Sequence, residues 1–412
     1  MKIVTLTPMQ FDKFAMKHRY RNYYQTSAYG RIMNKFNYNI HYLGIVSDEN
    51  KLIGATLIIY KEMFLNKKIA YAPRGLLINY DDEKLVKQII TKIKKLLGKQ
   101  GFMSLKIDPY IPENIRNNKG DIINFNNQAE TIRNNLIKAG FNYNGKNKFF
   151  ENEKPRWEAL VLLKRSDQEI YAKLDKATRN KIRKASSNGV TVIKDNLSNV
   201  QSLYKYVKNR VNLPYSFYKE LIKNFKGNIE LFYSIINTEK FSVNCRQLLE
   251  REESNNSMLN NFLQDVSISP EQRNKYLTQK MESDKLINFY KTNIVKSTDL
   301  LKKYPNGIKI AGALVITFDN AAFIFSEGQN EKYSTLDPLY SLKWYLIQYY
   351  NRKGYKYLNL NEIAGEFEEK HKYSELNESK LGFDTTVTEY IGEFEIILNG
   401  FSYNLFRNMD KK

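Results

Sequence analysis

One order of apolar and polar positions occurs twice along the chain. Lys51-Leu52-Ile53-Gly54-Ala55-Thr56-Leu57-Ile58-Ile59 is an apolar run of strand length, and Lys309-Ile310-Ala311-Gly312-Ala313-Leu314-Val315-Ile316 nearly repeats it. Each run is followed by a turn and a second strand-like stretch, Lys68-Ile69-Ala70-Tyr71-Ala72 in the first half and Ala321-Ala322-Phe323-Ile324-Phe325 in the second. Helical spacing comes next: Leu85, Ile89, Ile90, Ile93, Leu96 and Leu97 in one half, Leu342, Leu346, Ile347 and Tyr350 in the other. Each helix ends near a glycine that suits a left-handed cap. A third strand follows, Gly101-Phe102-Met103-Ser104-Leu105-Lys106-Ile107-Asp108 matching Gly354-Tyr355-Lys356-Tyr357-Leu358-Asn359-Leu360-Asn361.

Three matched blocks in one order predict a duplicated α/β unit. Antiparallel hairpins followed by a helical crossover are the layout of the GNAT acyltransferase fold, so the expectation is two tandem GNAT-like subdomains. The second copy is interrupted by polar sequence that reads as two helices, at roughly 242–266 and 270–303. Ser269-Pro270-Glu271-Gln272 opens the later one with an N-cap serine, proline at the first helical position and a capping-box glutamine. A narrow apolar stripe (Leu248, Leu249, Met258, Leu259, Phe262 and Leu263 on one helix; Tyr276, Leu277, Met281, Leu286, Ile287, Tyr290, Ile294, Leu300 and Leu301 on the other) predicts an antiparallel two-helix coiled-coil arm, with a packed helical pair as the alternative. The expected segments are 1–147 for the first subdomain, 148–240 and 305–412 for the second, and 241–304 for the inserted arm.

Composition narrows the function classes. The chain has 412 residues, 42% hydrophobic and 26% charged, enough to bury ordinary cores. The longest uncharged apolar runs, Leu52–Tyr60 and Ile310–Phe318, reach about half of the ~20 residues a spanning helix needs. The first residues lack a signal-peptide apolar core before Gln10 and Asp12. These features predict a cytoplasmic protein. The lone Cys245 fits a reducing compartment, and with only His18, His41 and His371 beside it a Cys/His zinc site cannot be built. The same shortage argues against a Ser-His-Asp hydrolase. Lys+Arg 65 against Asp+Glu 44 leaves +21, an excess that draws polyanions such as nucleic acid, an anionic membrane or phosphorylated substrates. A base-composition bias toward lysine would give the same excess with no partner.

Several segments together carry a resemblance. Ala70-Tyr71-Ala72-Pro73-Arg74-Gly75 is followed by Lys106-Ile107-Asp108-Pro109. Pro155-Arg156-Trp157 precedes Thr178-Arg179-Asn180-Lys181-Ile182-Arg183-Lys184-Ala185 and Gly189-Val190-Thr191-Val192. Leu376-Asn377-Glu378-Ser379-Lys380-Leu381-Gly382-Phe383 and Glu389-Tyr390-Ile391-Gly392-Glu393-Phe394 come last. In this order the chain resembles, over nearly its whole length, the Fem-type peptidoglycan-bridge aminoacyltransferases, the FemABX family. The resemblance implies two GNAT-like subdomains, often with a helical arm in the second. It implies transfer of an amino acid from aminoacyl-tRNA to the stem-peptide or bridge amine of a peptidoglycan precursor. The ester is already activated, so no cofactor, metal or enzyme nucleophile is required, only a neutral amine and a stabilised oxyanion.

The resemblance assigns roles residue by residue. Lys380 aligns with the family lysine at the reaction centre and is expected to stabilise the oxyanion or the tRNA terminus; read as a strand residue opposite Leu381 and Phe383, it points out of the scaffold. Asp108 is a candidate amine-orienting or proton-accepting group, against an ordinary Asp-Pro turn. Arg74 in its Pro-Arg-Gly turn is a candidate phosphate ligand, against a solvated turn arginine. Lys106, Arg156 and Tyr215 join it as candidate substrate-binding residues. Lys176, Arg179, Lys181, Arg183 and Lys184 form a basic helix suited to tRNA, against a merely solvated face.

The chain also departs from the family pattern. Leu213 and Phe217 stand where a member using a soluble UDP-linked precursor contacts the nucleotide, and a first-subdomain lysine falls near Met33, with Arg31 and Lys35 as substitutes. This favours a lipid II-like precursor over a UDP-linked one, met by peripheral contact at the inner face of a bacterial plasma membrane. Homo- and hetero-dimers both remain open. Two other readings compete. One is a CoA-dependent N-acyltransferase, although the GNAT pyrophosphate loop is missing after both strands. The other is a non-catalytic tRNA-binding protein of the same fold.

Overall fold

Two mixed sheets carry the chain in the computed structural model, which describes residues 1–63, 66–368 and 370–409. The strands are β1 (Lys2–Thr5), β2 (Asn39–Val46), β3 (Leu52–Glu62), β4 (Lys68–Ala72), β5 (Phe102–Ile107), β6 (Pro112–Arg116), β7 (Ile122–Phe125) and β8 (Asn142–Tyr143), then β9 (Trp157–Leu162), β10 (Val190–Asp195), β11 (Ile229–Ile236), β12 (Ile308–Phe318), β13 (Ala321–Gln329), β14 (Tyr357–Glu362), β15 (Thr385–Tyr390) and β16 (Phe394–Ile397). The helices are α1 (Pro8–Ala15), α2 (Ser27–Lys35), α3 (Glu83–Lys99), α4 (Ala129–Lys138), α5 (Asp167–Lys173), α6 (Lys176–Ser187) and α7 (Val200–Val207), then α8 (Tyr215–Asn224), α9 (Thr238–Gln264), α10 (Pro270–Lys303), α11 (Pro338–Arg352), α12 (Ser374–Leu381) and α13 (Gly400–Met409).

The repeat read in the sequence is a repeat of topology. The first sheet runs β1-β2-β3-β4-β5-β16-β8, and the second begins β10-β11-β12-β13-β14 before β9-β15-β6-β7. In each, the hairpin strands are antiparallel and one helix crosses over to make a parallel pair, β4 with β5 through α3 and β13 with β14 through α11. Parallel neighbours need such a crossover, and the amphipathic spacing of α3 and α11 supplies it. Asp82 caps α3 by accepting the Leu85 N–H, and Val86, Ile89, Ile90, Ile93 and Leu97 bury its inner face.

The sheets exchange strands. β16, from the C-terminal part, pairs with β5, and β6, from the N-terminal part, pairs with β15. Between the sheets lies one shared core, in which Leu57 and Leu77 pack with Phe217, Tyr218, Leu231 and Leu314. Burial of this apolar surface and the exchanged strands fix the two sheets against each other.

The interrupting segment forms α9 and α10. The capping box at Ser269 and Gln272 starts α10 at Pro270, as the sequence indicates. The helices lie antiparallel: Glu253 pairs with Lys291, Asn256 donates to Asp284, and Phe262 stacks on Tyr276. Their seam differs from the apolar stripe read in the sequence. Ser283 and Asn256 are buried in it, bonded to Glu252 and Asp284, while Met258, Phe262, Leu277 and Leu286 keep exposed surface. No helix among the described residues is long and apolar enough to cross a membrane.

Candidate active site

A cleft of about 520 Å³ opens between the two sheets. The first sheet and α2 contribute Tyr29, Met33, Ile59 and Tyr71; the second contributes Phe325, Asn361 and Glu362, with Phe217 of α8 closing one end. Met33, Leu213 and Phe217, which the resemblance sets against nucleotide-contacting positions, all line this cleft.

Beneath it lies a buried charged layer. Arg74 ends the β4 turn with φ 53°, a left-handed conformation that turns its backbone N–H onto the Asp108 carboxylate at 2.7 Å. Its guanidinium donates to Glu158 at 2.8 Å and to the Pro155 carbonyl at 2.7 Å, and it lies 4.6 Å from the centre of the Tyr390 ring. Burial opposes the charge on Arg74, and Glu158 and Asp108 more than offset it. Glu158 is shared, since it also accepts from Asn359 and the Tyr390 hydroxyl. Arg74 is 2% exposed, so it is neither a solvated turn residue nor free to meet a phosphate. Asp108 is buried as well. Burial pushes its carboxyl up to about 6 against the pull of Arg74. The Tyr71 side chain lines the cleft, and its buried hydroxyl, beside Asp108, lacks a well-formed hydrogen bond.

Lys380 requires a correction. Its segment is not extended: it is the last turn of α12, and the side chain turns inward. Strand alternation therefore does not apply, and the ammonium does not project out of the scaffold. It is 5% exposed and donates to the Glu362 carbonyl at 2.5 Å, directly behind the cleft wall. Burial lowers its pKa to about 8; Glu327 opposes this, and the Lys343 ammonium adds to it. Lys343 is itself buried and paired with Glu327 at 2.9 Å. The glycine of the Lys-x-Gly-Phe motif has a packing reason. A Cβ on Gly382 would lie 2.2 Å from Thr178 Oγ1, so only glycine lets α12 meet the start of α6. The Gly382 carbonyl accepts the Asp175 N–H there at 3.1 Å.

The profile of the FemAB family matches residues 6–411. The chain belongs to the FemAB family. It is 23% identical to aminoacyltransferase FemA of Staphylococcus epidermidis over 419 residues, covering 100% of this chain and 99% of that protein. Aminoacyltransferase FemA of Staphylococcus aureus (strain bovine RF122 / ET3-1) is likewise 23% identical, over 96% of this chain and 94% of its own length. The crystal structure of FemX shares the fold, with a TM-score of 0.74 at 17% identity over 98% of this chain and 99% of that one. The chain is an aminoacyltransferase, and FemAB aminoacyltransferases act in synthesis of the peptidoglycan interpeptide bridge.

The structure sorts the remaining candidates of this FemAB chain. Arg156 is not available to substrate. Its guanidinium is buried and spent on Glu113, Glu389 and the Tyr390 and Asn147 carbonyls. Lys106 is partly exposed, 3.4 Å from both Glu153 and Glu393. Arg31 does not replace the missing lysine: it leaves α2 on the outer side, donating to Asn224 and Ser27, while Met33 takes the cleft side. Lys35 is exposed on the same helix. Tyr215, at the start of α8 and outside the cleft lining, packs its ring at a tilt against Tyr204, with the centroids 5.3 Å apart. On α6, Arg179 donates to the Ala172 carbonyl, Lys181 to the Tyr340 hydroxyl, and Lys184 pairs with Asp337; Lys176 and Arg183 lie on the exposed face.

Sequence reasoning missed Lys154, Glu158 and the Lys343–Glu327 pair. Glu158 and Lys154 flank the Pro155-Arg156-Trp157 signature, and that adjacency was the available signal. Nothing local marks Lys343 among the lysines of the chain.

Proposed function

We propose that this chain moves an amino acid from aminoacyl-tRNA to the amine of a peptidoglycan precursor, a lipid-linked one, within the cleft between its sheets. The observation that carries the reading is the Lys380 ammonium, held behind the cleft wall on a helix whose end abuts the basic helix α6. A tRNA resting on α6 would bring its esterified 3′ end toward that wall. The neutral amine attacks the ester carbonyl, the C–N bond forms, the C–O bond to the ribose breaks, and the ribose oxygen takes up a proton. Lys380 supplies fixed positive charge to the oxyanion through the wall it braces. Asp108 receives the amine proton by way of the Tyr71 hydroxyl. Met33, Leu213 and Phe217 are apolar, and the two lysines of the cleft, Lys61 and Lys154, are offset by Glu153 and Glu362, a balance that favours no nucleotide diphosphate and supports the lipid-linked acceptor. The segments 1–147 and 148–412, less the inserted helices, act in this reading as two GNAT-like subdomains that exchange strands. Contact with the inner membrane surface follows from the lipid-linked acceptor.

The test is direct. The protein is incubated with lipid II and a panel of charged tRNAs, and the product mass is read. A gain of one amino-acid residue from one charged tRNA is expected. No gain with any tRNA, or acyl transfer from acetyl-CoA instead, overturns the proposal.

A further inference from the structure

Lys154 occupies the cleft without an assigned task. Its near neighbours in sequence are paired, Glu153 with Lys106 at 3.4 Å and Arg156 with Glu389 at 2.6 Å. Lys154 has no ion pair among the described residues. Its ammonium lies over the faces of two rings instead, 4.3 Å from the Tyr24 centroid and 6.0 Å from that of Tyr29. The Tyr29 hydroxyl also bonds to it, and Asp108 attracts it from the buried layer beneath the cleft. Ring faces hold a cation without neutralising it, and Asp108 is shared with Arg74, so positive charge remains for an anion entering the cleft.

The other charges of the cleft define that anion. The lining carries Lys61 and Lys154 against Glu153 and Glu362. A diphosphate would meet two carboxylates and gain little. A peptide bearing one amine and one carboxylate matches the balance, with the amine drawn toward the Glu362 side and the carboxylate toward Lys154. The surrounding Tyr24, Tyr29, Tyr38 and Tyr71 rings suit a short, partly apolar peptide.

We infer that Lys154, seated on Tyr24 and Tyr29, is the subsite for the free α-carboxylate of the acceptor peptide. The inference rests on the proposed function, since it takes the cleft to hold the acceptor. It gives the enzyme a means of choosing precursors whose peptide end is still a free acid.

The experiment separates the two claims by avoiding the donor altogether. A synthetic pentapeptide with an amine-bearing side chain is titrated calorimetrically into the full chain, once as the C-terminal acid and once as the C-terminal amide. The acid is expected to bind about 10-fold more tightly or better, as for a charge-assisted hydrogen bond. In Lys154→Met the difference is expected to vanish through weakening of the acid alone; in Lys154→Arg it should largely persist. Equal binding of acid and amide by the unaltered chain overturns the inference, as does equal weakening of both by Lys154→Met, or no binding of either at millimolar peptide. Failure of tRNA-dependent transfer alongside a retained acid preference would strike the proposed reaction and leave the carboxylate subsite standing.

Discussion

The Lys380 ammonium donates to the backbone carbonyl of Glu362 at 2.5 Å, and Glu362 lines the cleft. A buried cation is thereby tied to the wall against which substrate would lie. Lys380→Met is expected to lower turnover by about 10²-fold or more with little change in precursor binding, because the charge it removes acts mainly in the transition state. Its melting temperature should be unchanged or higher, since the substitution removes a desolvated charge. Steady-state kinetics and thermal unfolding on one preparation check both parts. Near wild-type turnover would make the residue structural.

The pH profile should be bell-shaped. Asp108, pushed up to about 6, must ionise to accept a proton, so the rate rises through that pH. Lys380, pushed down to about 8, loses its charge above that value, so the rate falls again. Asp108→Asn should remove the acid limb and keep the alkaline one. The stability signs follow from linkage. The folded chain gives up the Lys380 proton near 8 and the unfolded chain only near 10.5, so this group's contribution to stability rises between those values. For Asp108 the folded chain holds its proton up to about 6 against 3.8 unfolded, so its contribution falls as pH rises across that window.

Arg74 is expected to matter for stability more than for phosphate recognition. Arg74→Ala strands Glu158 and Asp108 in a buried layer, and breaking such a pair costs about 3–5 kcal/mol. The midpoint of urea unfolding should fall accordingly. A variant of normal stability with a raised KM for precursor would restore Arg74 as a phosphate ligand.

The basic helix α6 should contribute to tRNA binding through its most exposed members, Lys176 and Arg183, the latter hydrogen-bonded to Asn180 of its own helix. Lys176→Ala with Arg183→Ala is expected to weaken tRNA binding and to reduce the slope of log affinity against log salt by about 0.7–0.9 for each phosphate the helix no longer neutralises. Arg179, Lys181 and Lys184 are engaged with Ala172, Tyr340 and Asp337 and should contribute less. Filter binding across a salt series reads both effects, and an unchanged slope would remove α6 from the tRNA surface.

The sequence by itself determined the local elements and their order. The runs at Leu52–Ile59 and Ile310–Ile316, the helical spacing of α3 and α11 and the capping box at Ser269 rest on interactions within a few residues, and they appear where the pattern sets them. The family motifs likewise pointed to Lys380 and to α6. Only the tertiary structure decided which charges are free. Arg74 and Arg156 look like exposed binding residues in one dimension, yet Glu158, Glu113 and Glu389 reach them from distant strands and neutralise them. Lys154 looks like any other lysine, yet the fold leaves it on ring faces in a cleft. Strand alternation would aim Lys380 outward, and the helical turn of α12 reverses it. The availability of an ionised group depends on partners brought together through long-range packing, and the spacing of residues along the chain does not encode those partners.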